Sequence, residues 1–156
     1  FYEYEQYYTA YANQNYCRSK VHFNKFFPTR DGVLMGCGMR KKPQEDNFIQ
    51  KGGIIISSGP EEVRDPEKID QRENIVVDFI GGDRYKPQYQ YIPYYEGNHT
   101  FRVTPDEDNT FEYMVCTAWS EGTKLRNKTD FNKYVEEQAV QFNNPITYKF
   151  VKIEGK

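Results

Sequence analysis

The side chains best suited to chemistry are few: two histidines, His22 and His99, and three cysteines, Cys17, Cys37 and Cys116. A metal centre needs three or four converging ligands, and the chain has neither a Cys-x-x-Cys nor a His-x-x-x-His spacing. Cys17 or Cys37 could pair with His22 as nucleophile and base, yet the sequence supplies no orienting third group and no oxyanion hole. Gly36-Cys37-Gly38 lacks the further glycine and the following helix of a phosphate loop, and Ser57-Ser58-Gly59-Pro60 has the composition of a turn. The acids Glu61-Glu62 and Asp106-Glu107-Asp108 fall in loops. A glycosidase would need two carboxylates fixed about 5–10 Å apart across a cleft. No catalytic residue, metal or cofactor is expected.

The aromatic content stands out instead. The chain carries 14 Tyr and 11 Phe, and aromatics make up 17% of it. Tyrosine favours strands and fills small β cores. It also lines pockets with apolar rings that end in hydroxyls, which suits an amphipathic ligand. Glu3, Glu5 or Glu112 among such rings could hold a protonated amine through charge and ring faces.

The elements that would position these rings are mostly strands. Residues 1–12 alternate, with Tyr2, Tyr4 and Gln6 on one side and Glu3, Glu5 and Tyr7 on the other. Val21 to Phe27 ends at Pro28, before a turn over Thr29–Gly32. Val33, Met35, Cys37 and Met39 then share one face, with Gly36 and Gly38 opposite, a pattern expected of a strongly bent strand or of a close approach by another backbone. Ile54–Ile56 and Ile75–Ile80 are β-branched strands, with a charged loop from Gly59 to Glu73 between them. Tyr85–Tyr95 is extended and edge-like, and Phe101 and Val103 continue a strand to the Pro105–Asn109 turn. Phe111, Tyr113, Val115, Thr117 and Trp119 alternate with Glu112, Met114, Cys116 and Ala118, predicting a hairpin strand with one core face. A helix is predicted over about 130–143 from Phe131, Tyr134, Val135, Ala139 and Phe142, capped by Thr129 or Asp130 and stopped by Asn143-Asn144-Pro145. Residues 148–153 return to strand. Many short strands and one late helix predict an all-β fold, a closed antiparallel barrel of about eight strands.

Composition bounds the partners. The chain has 156 residues, the size of one domain, spanning 1–156. Its net charge of −2 makes nucleic acid an unexpected partner. The longest apolar runs are Gly53–Ile56 and Ile75–Val77, while a membrane helix needs roughly 20 residues. A start at Phe1 without Met suggests a processed or truncated chain. The sequence does not set an oligomeric state.

Phe1-Tyr2-Glu3 followed by Tyr7, the run Asn15-Tyr16-Cys17 before Val21-His22-Phe23, and the stretch from Phe131 to Phe150-Val151-Lys152 together resemble the lipocalins, in the secreted invertebrate form. The resemblance implies an eight-stranded barrel open at one end, holding a small hydrophobic or amphipathic molecule, in a protein that is secreted and extracellular. On that fold the function expected is non-catalytic transport or scavenging. A protein-binding module or inhibitor, or a binder of a biogenic amine, are the alternatives. The inward faces that can be phased give the ligand-binding candidates Tyr2, Tyr4, Met35, Met39, Phe79, Tyr89, Tyr91, Phe101 and Tyr113. Asn98 and Asn127 head glycosylation sequons. Resemblance also implies a bridge from Cys17 to a cysteine behind the last strand, which these residues do not include. Within the chain, Cys37–Cys116 with Cys17 left over, Cys17–Cys116, and no bridge at all remain open.

Overall fold

The computed structural model describes residues 1–30, 35–41, 45–61, 72–73, 75–80, 89–95, 97–120 and 122–151, with backbone alone at 60–61, 72–73, 75–80, 89 and 94–95. The strands are β1 (Tyr2–Ala10), β2 (Tyr16–Phe26), β3 (Met35–Arg40), β4 (Asn47–Lys51), β5 (Ile54–Ser58) and β6 (Pro60–Glu61). They continue as β7 (Arg72–Glu73), β8 (Ile75–Ile80), β9 (Tyr89–Tyr95), β10 (Asn98–Val103) and β11 (Thr110–Trp119), followed by the helix α1 (Lys128–Asn143).

All pairing is antiparallel, in a six-stranded sheet of order β1-β2-β11-β8-β5-β4, a three-stranded sheet β3-β10-β9, and a small pair β6-β7. Local chemistry accounts for the joints. Gly52, at φ 56°, turns β4 into β5. Asn109, at φ 59°, closes the turn into β11, where its N–H donates to Asp106 O and the Asp108 carboxylate accepts from Thr110 N.

The large sheet is covered on both faces at its centre. Met114, Cys116 and Ala118 of β11 pack with Ile56 against Phe131, Val135, Ala139 and Phe142 of α1. The intervening positions serve a second core, in which Phe111 of β11 and Ile55 of β5 pack with Met39, Phe101 and Val103 of the three-stranded sheet. The order is helix, six-stranded sheet, three-stranded sheet.

This overturns the closed barrel. The sheets are open, with β1 and β4 the two edges of the larger one. The reason lies in β11, which sequence alternation presents as a strand with one core face. Both of its faces are apolar at its centre, the mark of a strand buried on two sides rather than a barrel stave with one inside.

Other expectations shift too. The helix begins two residues before the predicted start, because Asn127, not Thr129 or Asp130, is the N-cap; its side chain accepts from Asp130 N at 2.9 Å. Its end at Asn143 agrees with the Asn-Asn-Pro stop. The short final strand is absent from the described residues: 145–151 are irregular, with Ile146 93% and Phe150 89% exposed. Part of the Gly59–Glu73 loop is paired backbone, β6 with β7. The edge strand β4 was not expected at all.

The three cysteines are free. Cys116 belongs to the helix-facing core while Cys37 packs against the core between the sheets, so the sheet itself separates the Cys37–Cys116 pair. Cys17 registers with Val115, one residue from Cys116 and on the alternate face. Neither bridge can form without moving backbone.

Gly38 fulfils the expectation of close approach. A Cβ there would lie 2.0 Å from His99 O and 2.9 Å from Thr100 Cα on β10. At Gly36 the nearest atom would be Thr100 Cγ2, at 3.7 Å. Gly38→Ala is therefore expected to lower the unfolding free energy by about 1–3 kcal/mol, and Gly36→Ala to change it by no more than about 0.5 kcal/mol. Urea titration of both variants decides this, and equal losses would refute the close approach.

Candidate functional site

A three-stranded sheet cannot cover six strands, and the uncovered part of the larger sheet forms a groove. Its floor and far wall are Val21 and Phe23 of β2, Phe111 and Tyr113 of β11, and Tyr2, Tyr4 and Gln6 of β1. Met35, Gly36 and Cys37 of β3 form the near rim. The cavity measures about 310 Å³, at the small end of the range for ligand sites.

Alternation puts these rings together. Tyr2, Tyr4 and Gln6 are every second residue of β1, and its register against β2 sets Tyr4 opposite Phe23 and Gln6 opposite Val21. The Tyr4 and Phe23 rings lie 5.8 Å apart, and Phe111 and Tyr113 stack at 5.6 Å. One end of the groove is polar. Gln6 Nε2 donates to Ser19 Oγ and to Tyr113 Oη, both at 3.0 Å. Burial raises the Tyr113 phenol above its ordinary pKa, partly offset by its hydrogen bonds with Ser19 and Gln6. Burial alone pushes the Cys37 thiol up to about 12, so it stays protonated and unreactive. Among the described residues, no wall residue carries a charge at neutral pH.

Four of the nine candidates, Tyr2, Tyr4, Met35 and Tyr113, meet in this groove. Met39 and Phe101 are core packing between the sheets. Tyr91 packs at the edge of that core and its hydroxyl lies 3.2 Å from His99 Nδ1, away from the groove. Phe79 lies on β8 and Tyr89 on β9, and their side chains fall outside the described residues. Sequence reasoning missed Gln6, Val21, Phe23, Gly36, Cys37 and Phe111. Alternation along β1 and β11 already put Gln6 with Tyr4 and Phe111 with Tyr113, so those two were within reach.

The glycosylation candidates have structural work. Asn98 opens β10 opposite Arg40 and Tyr95. Asn127 caps α1, accepting from Asp130 N and donating Nδ2 to Asp130 Oδ2 at 2.8 Å. No helix among the described residues is long and apolar enough to cross a membrane.

Comparison with curated proteins and with solved structures found no match. Residues 2–147 match one family profile, described as "Domain of unknown function (DUF4861)", and the chain belongs to that family.

Proposed function

We propose that the groove binds a small, uncharged amphipathic molecule, without chemistry at that site. The observation that carries this is the pairing of an apolar, ring-lined wall with one neutral polar cluster, Gln6–Ser19–Tyr113. The rings take an apolar body, and the cluster orients a single hydroxyl or carbonyl.

A cationic amine fits less well. Glu3 and Glu5 alternate away from Tyr2, Tyr4 and Gln6, and Glu112 lies 3.9 Å from Lys20 Nζ. An ammonium in the groove would lose water without gaining a carboxylate.

Titration with 1-decanol and with decylamine, which share one alkyl tail, tests this by tyrosine fluorescence. Decanol is expected to bind at least about tenfold more tightly, a difference of about 1.4 kcal/mol. Tyr113→Ala should weaken decanol binding. Equal or tighter binding of the amine would overturn the reading, and an unchanged decanol affinity in Tyr113→Ala would remove the groove from it.

One observation favours a protein-binding role instead. β1 is a nine-residue edge strand that exposes Tyr2, Tyr4, Tyr7 and Tyr8, and such an edge can accept a strand from a partner. Native mass spectrometry separates the two, since a small-molecule adduct and a protein adduct differ by kilodaltons.

A further inference from the structure

We propose that Tyr91, His99 and Glu45 form a general acid–base relay whose working end is the Tyr91 hydroxyl. It would take the proton from a hydroxyl of a small neutral substrate, or from water attacking that substrate. The proposal is independent of the groove. Glu45 precedes β4 and Tyr91 lies on β9, each an edge strand of its sheet, whereas the groove is built on β1 and β3 at the other edges.

Hydrogen-bond chemistry fixes the direction of the relay. Glu45 Oε2 accepts from Ser57 Oγ and lies 2.9 Å from His99 Nε2. A carboxylate can only accept, so Nε2 carries a proton, and in the neutral imidazole Nδ1 then presents a lone pair. That lone pair faces the Tyr91 hydroxyl at 3.2 Å. Hydroxyl, base and orienting carboxylate thus stand in the order that activates a hydroxyl in nucleophilic and general-base sites.

The surroundings separate a dry pair from a wet tip. The His99 and Glu45 side chains are each 6% exposed, and the Phe48 ring stacks on the imidazole at 4.2 Å. Tyr91 and Phe48 both reach the surface. Burial and the Glu45 charge raise the Tyr91 phenol, which keeps it protonated at rest. As a simple fastener between sheets a buried carboxylate is a poor choice, because it costs desolvation that a well-packed apolar side chain in its place avoids.

The step balances. The substrate or water O–H proton passes to Tyr91 Oη as the Tyr91 proton passes to Nδ1. The electron pair left on the substrate or water oxygen forms a bond to an ester carbonyl carbon, the ester C–O bond breaks with its electron pair going to the leaving oxygen, and His99 becomes an imidazolium held by Glu45. The proton later returns through Tyr91 to the leaving oxygen or to solvent. Tyr91 would touch substrate; His99 and Glu45 act through it. Among the described residues, the titratable groups facing the imidazole are Glu45 and Tyr91.

The test is hydrolysis of p-nitrophenyl acetate, with water as the attacking hydroxyl, between pH 5 and 9. It uses the whole chain with Cys17→Ser, so that acylation of that half-buried thiol does not contribute. The rate above buffer is expected to rise with pH, as general-base catalysis does. Tyr91→Phe and His99→Gln should each lower it by about a hundredfold and flatten the profile, while His22→Gln, at the other histidine, should leave both unchanged. Tyr91→Phe retains the ring that packs edge-on against Phe101 at 5.8 Å, so it keeps the test valid should His99→Gln not fold. A rate in Tyr91→Phe equal to that of the unsubstituted tyrosine, or no rate above buffer, would overturn the relay.

Discussion

Phe111→Ala is expected to lower the unfolding free energy by about 3–5 kcal/mol. Phe111 is fully buried on β11, where it packs with Ile55, Met39, Phe101 and Val103 and stacks on Tyr113. Truncation removes the ring's transfer free energy and leaves a cavity between two sheets, whose hydrogen-bonded backbones resist closing on it. Against a typical domain stability of about 5–15 kcal/mol, the loss is a large fraction. Phe111 is also part of the groove floor, so decanol binding should weaken together with stability. Chemical denaturation and ligand titration of the same variant check both effects. A loss below about 1 kcal/mol would mean that the three-stranded sheet does not pack on this face.

Phe142→Ala should cost a similar amount, about 3–5 kcal/mol, from the opposite face. The ring is fully buried in the last turn of α1, and the Arg18 guanidinium of β2 lies 5.4 Å from its centroid. Its removal opens the core under the helix and ends the cation–π contact, which adds to the loss. A melting temperature lower by about 6–20 °C is the expected reading, at about 2–4 °C per kcal/mol for a chain of this size. Since the six-stranded sheet separates the two phenylalanines, the double variant should lose close to the sum of the single losses. A small effect of Phe142→Ala would instead make the helix a peripheral attachment.

Much of the strand content was legible. Ile54–Ile56 and Ile75–Ile80 announced β5 and β8 by their β-branched runs, and the 3.6-residue period announced α1. The arrangement was not legible, because alternation says which residues share a face and leaves open what covers that face. Cys116 shows the difference. Beside Val115 it was an ambiguous thiol, and only the packing of Phe131 and Phe142 assigns it to the helix side. β4 stayed hidden because Asn47, Gln50 and Lys51 surround its two apolar residues, as suits an exposed edge. The relay was further out of reach. Glu45 lies 54 residues before His99, and no sequence spacing joins the two.

The two long walls of the groove differ in how firmly their register is held. A one-residue slip of β11 would exchange its contributions to both cores at once, so two sets of contacts oppose the same error. β1 has no such double lock: its side chains are largely exposed, and its pairing with β2 already shifts between Glu3 and Tyr4. An extra residue in β1 near that bulge moves Tyr2 without touching Phe111 or Tyr113. On the proposed reading, the floor fixes which chemical groups the groove takes, while the length of β1 and the bulge at Asn24 of β2 set how wide a molecule enters.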